Sequence, residues 1–180
     1  MMIKFYSITI AALLVVLISC SDDSTGPESN DLGEASFVIS GAVEGQKEGF
    51  ANFRAFEMSG VHTWDILIID AQPRSFEISI SAFSNEPLTR PSTGTYQLGL
   101  TQDSDYAASY SEGSLAQPDS YTTTFNENMG TLVITSSSDD EIEGTFEFTA
   151  VKVDEESNEQ VSVTNGQFRA VPRVGGIVQD

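Results

Sequence analysis

This chain of 180 residues is poor in the residues that build disulfides, metal centres and catalytic sites. It has one cysteine, one histidine, and 8 Lys and Arg against 27 Asp and Glu, which gives a net charge of −19. A single cysteine excludes an internal disulfide, and a single histidine leaves a zinc site or a Ser-His-Asp triad short of its usual members. The excess of acidic side chains repels phosphates, so nucleic acid is excluded as a partner.

Long apolar runs are also absent, apart from one near the N-terminus. The run from Ile8 to Ile18 follows Lys4 and gives way to a polar, acidic stretch. It has the length of a signal-peptide core and is shorter than the roughly 20 residues of a transmembrane helix. The sequence therefore predicts an export signal over residues 1–19. An uncleaved anchor helix, or a secretory signal cut elsewhere, is the alternative.

The end of this run, Leu17-Ile18-Ser19-Cys20, resembles the lipobox of bacterial lipoproteins. The resemblance implies that Cys20 carries diacylglycerol, becomes the mature N-terminus and anchors the protein in a membrane, since two or more acyl chains hold firmly. The next residues, Ser21-Asp22-Asp23, are similar to the acidic signal that sends Bacteroidota lipoproteins to the cell surface. The location implied is the outer membrane of the cell envelope, exposed at the surface, rather than its periplasmic face.

Composition divides the rest of the chain into three parts. Residues 20–35 are polar and acidic with almost no apolar side chains, so we expect a disordered linker. Residues 36–172 have the length and apolar content of one domain, and residues 173–180 form a C-terminal tail. Without Lys4, seven basic side chains oppose 27 acidic ones, which indicates a solvated acidic surface.

The domain shows short runs of alternating apolar and polar residues separated by turn formers, the pattern of β-strands. Strands are predicted near residues 36–43, 50–57, 63–70, 75–83, 94–99, 106–111, 120–125, 130–136, 141–151 and 160–171. Trp64 to Ile69 has apolar residues on both faces and should be covered on both. The spacing of Phe50, Phe53 and Phe56 also fits a helix, although the flanking glycines favour a strand. The expected fold class is all-β, an antiparallel meander that forms a β-sandwich or a flattened barrel.

Three motifs in the second half of the chain resemble a family of Bacteroidota lipoproteins that carry a single β-domain of unknown function. They are GTLVIT at residues 130–135, EGTFEFTA at 143–150 and VSVTNGQF at 161–168, and GTYQL at 94–98 fits the middle strand of that family. The motifs are structural. The resemblance therefore implies a fold and a location, and brings no catalytic or binding residues with it.

Candidates for chemistry are few. His62 and Asp65 would fall on opposite faces of a strand, so no triad is expected. Asp103, Asp105, Asp139 and Asp140 offer oxygen ligands for a weak calcium site, but their spacing does not match an EF-hand. No cofactor is implied, and we expect a protein that is not an enzyme. A carboxylate-based glycoside hydrolase remains an alternative, although no pair of acids stands out.

Tyrosines set among short polar residues give the remaining hypothesis. Tyr106, Tyr110 and Tyr121 lie in or beside such a segment, and a tyrosine offers a rigid apolar plate with a hydroxyl group for stacking on sugars or proteins. The alternative is that these rings pack inward on ordinary strands. The sequence thus predicts either a surface module that binds a glycan or an envelope protein, or a structural envelope component without a small ligand. No pattern specifies an oligomeric state.

Overall fold

The computed structural model describes residues 32–70, 75–88, 90–99, 105–114, 117–124, 126, 129–154 and 157–173. Within these residues the chain forms ten β-strands and no helix, so the predicted all-β fold class is confirmed. The strands are β1 (Glu34–Gly41), β2 (Gly45–Met58), β3 (Val61–Ile69), β4 (Phe76–Ser84), β5 (Gly94–Leu98), β6 (Tyr106–Ser114), β7 (Gln117–Thr122), β8 (Gly130–Ser137), β9 (Ile142–Lys152) and β10 (Gln160–Pro172).

Each of the ten predicted strands has a counterpart, and β2 shows the largest change of boundary. It begins at Gly45, five residues before the predicted start, because residues 45–49 are polar and glycine-rich but pair with β1. The helical alternative for this region is wrong. In the strand, Phe53 stacks against Trp64 inside the domain, with ring centroids 6.3 Å apart, while Phe56 lies on the other face under the guanidinium of Arg54.

Eight strands close into a ring, in the order β1, β2, β3, β4, β6, β7, β9, β10 and back to β1. All these pairings are antiparallel. The contact between β7 and β9 is limited to two residue pairs. Along the rest of that edge β9 pairs with β8, and β8 pairs with β5. The described strands therefore form one ring-like sheet, consistent with the predicted sandwich or flattened barrel.

The chain departs from a strictly sequential meander at β5. Strand β4 pairs with β6, and β5 crosses to pair with β8. The connection that leads to β5 is held near β8, because the Ser137 hydroxyl donates to the Pro91 carbonyl at 2.7 Å and Arg90 pairs with Asp139. Near its C-terminal end, β10 also pairs in parallel with β2 over two residue pairs.

Apolar side chains at alternate strand positions fill the interior of the ring. Phe76, Ile78 and Ile80 on β4 and the two phenylalanines of β9 are buried, as their alternation predicted. On β3, every residue from Thr63 to Ile68 is buried, which confirms that both faces of this strand are covered. On its outer face the Asp65 carboxylate is covered by the Arg54 guanidinium, at 2.9 Å.

Candidate functional site

The residues predicted to direct export and lipidation lie outside the described part of the chain. These are Leu17, Ile18, Ser19, Cys20, Ser21, Asp22 and Asp23. Their roles stay predictions. In the described part of the chain, no helix is long and apolar enough to cross a membrane.

Two of the three candidate tyrosines are in the core. The exposed fractions of Tyr110 and Tyr121 are 0% and 2%, and their rings pack against each other with centroids 6.3 Å apart. Tyr110 pairs with Ile78 on one side and with Tyr121 on the other, at inward-facing positions of β4, β6 and β7. The expectation that these two rings form an exposed platform is wrong, because the alternation of the strands directs them into the ring.

The third tyrosine, Tyr106, is half-buried and packs against Tyr96, with ring centroids 4.7 Å apart. Burial, followed by the nearby charges of Tyr96 and Asp105, raises the pKa of Tyr106 to about 12. The Tyr96 hydroxyl donates to the Ser92 carbonyl at 2.7 Å. This pair joins the start of β6 to β5, so its contacts are those of a packed tyrosine rather than a free binding face.

A short chain of polar contacts links Tyr110 to the rim of the ring. Its hydroxyl donates to the Glu112 carboxylate at 2.5 Å, and that carboxylate accepts from the Lys47 ammonium at 2.8 Å. Burial and then the hydrogen bond to Glu112 raise the pKa of Tyr110 above its ordinary value. The Lys47 ammonium also lies 5.8 Å from the centroid of the Phe76 ring. The cluster satisfies a buried hydroxyl and is structural.

The calcium candidates do not form a site in the described residues. Asp105 precedes β6, whereas Asp139 and Asp140 lie in the turn between β8 and β9, and all three are exposed. Asp139 pairs with Arg90, and Asp103 lies outside the described residues. Across the described chain, no group of three or more His, Cys, Asp and Glu side chains is placed to hold a metal ion.

His62 and Asp65 lie on opposite faces of β3, as expected from their spacing. His62 pairs in register with Glu57, at the hairpin that joins β2 and β3, while Asp65 pairs with Arg54. Because both oxygens of Asp65 accept from Arg54, this carboxylate is committed to a structural ion pair. The arrangement cannot orient His62 as a general base.

A groove of about 890 Å³ lies on the outer surface of the ring. It lies where β1, β2, β9 and β10 meet, with one residue of β8 at its rim. The outward-facing side chains that line it are Glu34, Ser36, Glu48, Phe50, Thr135, Glu143, Thr145, Gln167 and Arg169. We define these residues as the outer groove.

Strand register brings the lining residues together in rows. Arg169 on β10 lies between Glu34 on β1 and Glu143 on β9. One step along, Gln167 lies between Ser36 and Thr145 in the same way. The outer groove is therefore built from segments far apart in the sequence, at positions where alternation turns polar side chains outward.

Glycines at inward-facing positions explain why the outer surface is recessed here. A Cβ added to Gly144 would lie 2.1 Å from the Val133 carbonyl oxygen and 2.9 Å from the Phe168 ring. At Gly166 an added Cβ would lie 2.6 Å from the Phe146 ring. At each of these glycines, a phenylalanine ring of the core occupies the space that a side chain would need. Because glycine has no side chain, the strand can approach the core closely there. We attribute the depression on the opposite face to this close approach.

The outer groove contains more acidic than basic side chains, with Glu34, Glu48 and Glu143 against Arg169. The Arg169 guanidinium lies 3.1 Å from Glu141 and 3.8 Å from Glu34. Glu48 is exposed and Glu143 is half-buried, and neither makes an ion pair or hydrogen bond through its side chain to another described residue. Among the described residues, the outer groove thus presents two carboxylates without a side-chain partner beside one guanidinium that is already paired with Glu141 and Glu34.

Sequence reasoning missed this groove. Its acidic residues resemble the many others in a chain with 27 of them, and nothing in their local spacing separates them from solvated surface. The alternation of apolar and polar residues on β1, β9 and β10 predicts that Glu34, Glu143 and Arg169 face outward. Only the pairing of β1 with β10 and of β10 with β9 brings these three together.

One protein family matches most of the described domain. A model of the family described as Domain of unknown function (DUF6252) matches residues 40–172, which is most of the chain. The chain belongs to this family. The DUF6252 domain spans nine of the ten strands completely and the last two residues of β1. The expected single domain of unknown function is confirmed, while the resemblance to Bacteroidota lipoproteins stays a prediction. No curated protein and no solved structure matches the chain.

Proposed function

We propose that this protein is a lipid-anchored binding module of the bacterial cell envelope, attached through Cys20 and displayed at the outer-membrane surface, and that its ligand binds in the outer groove. The lipobox resemblance of Leu17 to Cys20 supports the anchor, and the acidic residues after it support surface display. The ligand classes are those expected from the sequence, a glycan or a protein. The outer groove takes the place of the tyrosine segment as the site.

The observation that carries the proposal is the outer groove itself. Its volume of about 890 Å³ lies in the range of natural ligand sites. Gln167, Thr145 and Ser36 offer donors and acceptors in one row, and the carboxylates flank them. Such a lining can hydrogen-bond a chain of sugars or an extended peptide.

Binding is proposed in preference to catalysis for a geometric reason. His62 lies at the Met58 end of β2, whereas Glu48 and Phe50 of the outer groove lie toward its other end. The groove therefore lacks a neighbouring imidazole that could exchange protons with a bound ligand. Carboxylates, amides and hydroxyl groups remain, and they suit recognition.

The test is a comparison of two tryptophan variants of the chain from residue 20 onward, with Cys20→Ser to keep it unlipidated. Gln167→Trp fills the outer groove, while Thr95→Trp adds the same side chain at an exposed position of β5 outside it. Both should keep the far-ultraviolet β spectrum. On glycan and peptide arrays, the parent and Thr95→Trp should bind the same ligands, and Gln167→Trp should lose them. Ligands retained by Gln167→Trp would contradict the proposal, as would the absence of any ligand for the parent.

A further inference from the structure

We infer that the ligand of the outer groove is an extended peptide segment of another protein that carries lysine or arginine side chains. This inference rests on the proposed function and names the ligand class of the same site. Three observations support it. Arg169 already forms ion pairs. Glu48 and Glu143 have no side-chain partner among the described residues, and Phe50 lines the same groove.

Electrostatics in the outer groove favours a cationic ligand. Arg169 already faces Glu34 and Glu141, so it is a poor partner for an added anion. Glu48 and Glu143 stand on different strands of the groove without partners among the described residues. A recessed surface with one sign of charge concentrates ligands of the opposite sign, and the overall charge of −19 acts in the same direction.

Phe50 adds a feature that an acidic patch alone would not have. It lies two residues after Glu48 on β2, on the same outward face, and is half-buried, so part of its ring is open to the groove. An aromatic face binds ammonium and guanidinium groups, and the contribution grows when the group is partly desolvated. Arg54 over Phe56, 4.6 Å from the ring centroid, shows that this strand already holds one such contact.

The arrangement fits spaced side-chain cations better than a metal ion or an uncharged sugar. Glu48 on β2 and Glu143 on β9 are separated by β1 and β10, so the two carboxylates are placed for separate charges. In the described residues no three metal-ligating side chains converge. The aromatic side chains of the groove are Phe50, which is half-buried, and Phe168, which is 5% exposed. They do not form a stacking platform for a sugar chain. The row of Gln167, Thr145 and Ser36 can meanwhile pair with the peptide groups of an extended segment.

The experiment measures binding of a short peptide that alternates lysine and serine, using the chain from residue 20 with Cys20→Ser. Glu48→Gln with Glu143→Gln should weaken binding about tenfold, which is about 1.4 kcal/mol, because two solvent-accessible ion pairs with the peptide are lost. Glu57→Gln with Glu86→Gln is the matched control, because it also removes two carboxylates, both of them exposed and outside the outer groove. It should leave the affinity nearly unchanged.

The outcomes separate this inference from the proposed function. Equal weakening by Glu57→Gln with Glu86→Gln would overturn the inference, because attraction to the whole acidic surface would then explain binding. Spermidine binding as tightly as the peptide would overturn the peptide assignment. A neutral glycan that binds in a manner blocked by Gln167→Trp, with no binding of the lysine peptide, would refute the inference and leave the proposed function standing. Loss of the peptide on replacing its lysines by glutamate would support the inference.

Discussion

Single residues of this domain show how buried polar groups are satisfied. Thr123 is fully buried, and its hydroxyl accepts from the Ala108 amide at 2.9 Å. Tyr110 is buried with its hydroxyl on Glu112. In the described residues no buried side-chain nitrogen or oxygen lacks a hydrogen-bond partner. Because an unpaired buried polar group costs about 1 to 3 kcal/mol, these pairings are conditions for folding.

Tyr110→Ala should lower the free energy of unfolding by about 3 to 5 kcal/mol, because it removes a fully buried ring from the core. Tyr110→Phe keeps the ring and loses only the bond to Glu112, so it should cost about 1 to 3 kcal/mol. Urea denaturation followed by fluorescence measures both. Equal stability of the alanine variant and the parent would mean that Tyr110 is not in the core.

Replacing Arg54 and replacing Asp65 should lower the free energy of unfolding by different amounts. The Asp65 side chain is 4% exposed and that of Arg54 is 36% exposed. Arg54→Met leaves a buried carboxylate without a partner and should cost roughly 3 kcal/mol. Asp65→Asn leaves a guanidinium that water can solvate and should cost less. Denaturation of the two variants checks the order, and a larger loss for Asp65→Asn would contradict it.

The raised pKa of Tyr106 predicts a loss of stability at alkaline pH. The unfolded tyrosine ionises near pH 10, whereas in the folded domain burial raises the pKa to about 12. Between these values the unfolded state has lost a proton that the folded state retains, so stability is complete below about pH 10 and falls as the pH rises toward 12.

Urea midpoints measured across this range, with tyrosinate absorbance as a second readout, test that prediction. Tyr106→Phe should make the decline with pH shallower. The same slope in the variant and the parent would show that Tyr106 does not contribute. The buried Tyr110, whose pKa is also raised, should account for much of the slope that remains.

At the scale of elements, the glycines of β9 and β10 determine the shape of the ring near the outer groove. Register shifts within β1, β8 and β10 bend the same region. Asn165, with φ of 54°, lies at the shift in β10. Bulges of this kind increase the local twist and bend the strand. Curvature therefore comes from a few positions rather than from the alternating pattern.

Gly144→Ala should destabilise the domain by about 1 to 3 kcal/mol. The new methyl group would meet the Val133 carbonyl and the Phe168 ring, and a backbone oxygen cannot move aside alone. Thr145→Ala, at the adjacent exposed position, is the control and should stay within about 0.5 kcal/mol of the parent. Thermal unfolding compares the two, and a Gly144→Ala variant as stable as the control would rule out the close approach.

At the scale of the whole molecule, the apolar side chains fall into two groups. The predicted leader holds the long apolar run, and the described domain keeps its apolar side chains inside a closed ring with an acidic exterior. Exposed large apolar side chains of the described residues are few, among them Met58, Val61 and Phe83. Membrane attachment is therefore expected to depend on the lipid on Cys20.

Cys20→Ala should abolish labelling by a fatty-acid analogue and move the protein out of the membrane fraction of a bacterial host. The folded domain should be unaffected, because Cys20 is the only cysteine and no disulfide holds the core. Unfolding should therefore be insensitive to reductant in both forms. Continued fractionation of the variant with membranes would mean that another attachment operates.

The sequence alone determined the secondary structure and most of the core of this domain. Phe76, Ile78 and Ile80 on β4, like the phenylalanines of β9, alternate with polar neighbours, and a strand has only two faces, so pattern and burial agree. The two-sided burial of β3 followed from the apolar residues that it carries on both faces, for the same reason. Tertiary structure decided which strands meet. The crossing of β5 to β8 and the outer groove depend on pairings between residues far apart in the chain. The inward position of Tyr110 and Tyr121 depends on which face of the β6–β7 hairpin closes over the core. Local alternation gives each side chain a face but does not say which strand will lie beside it or which face closes over the core.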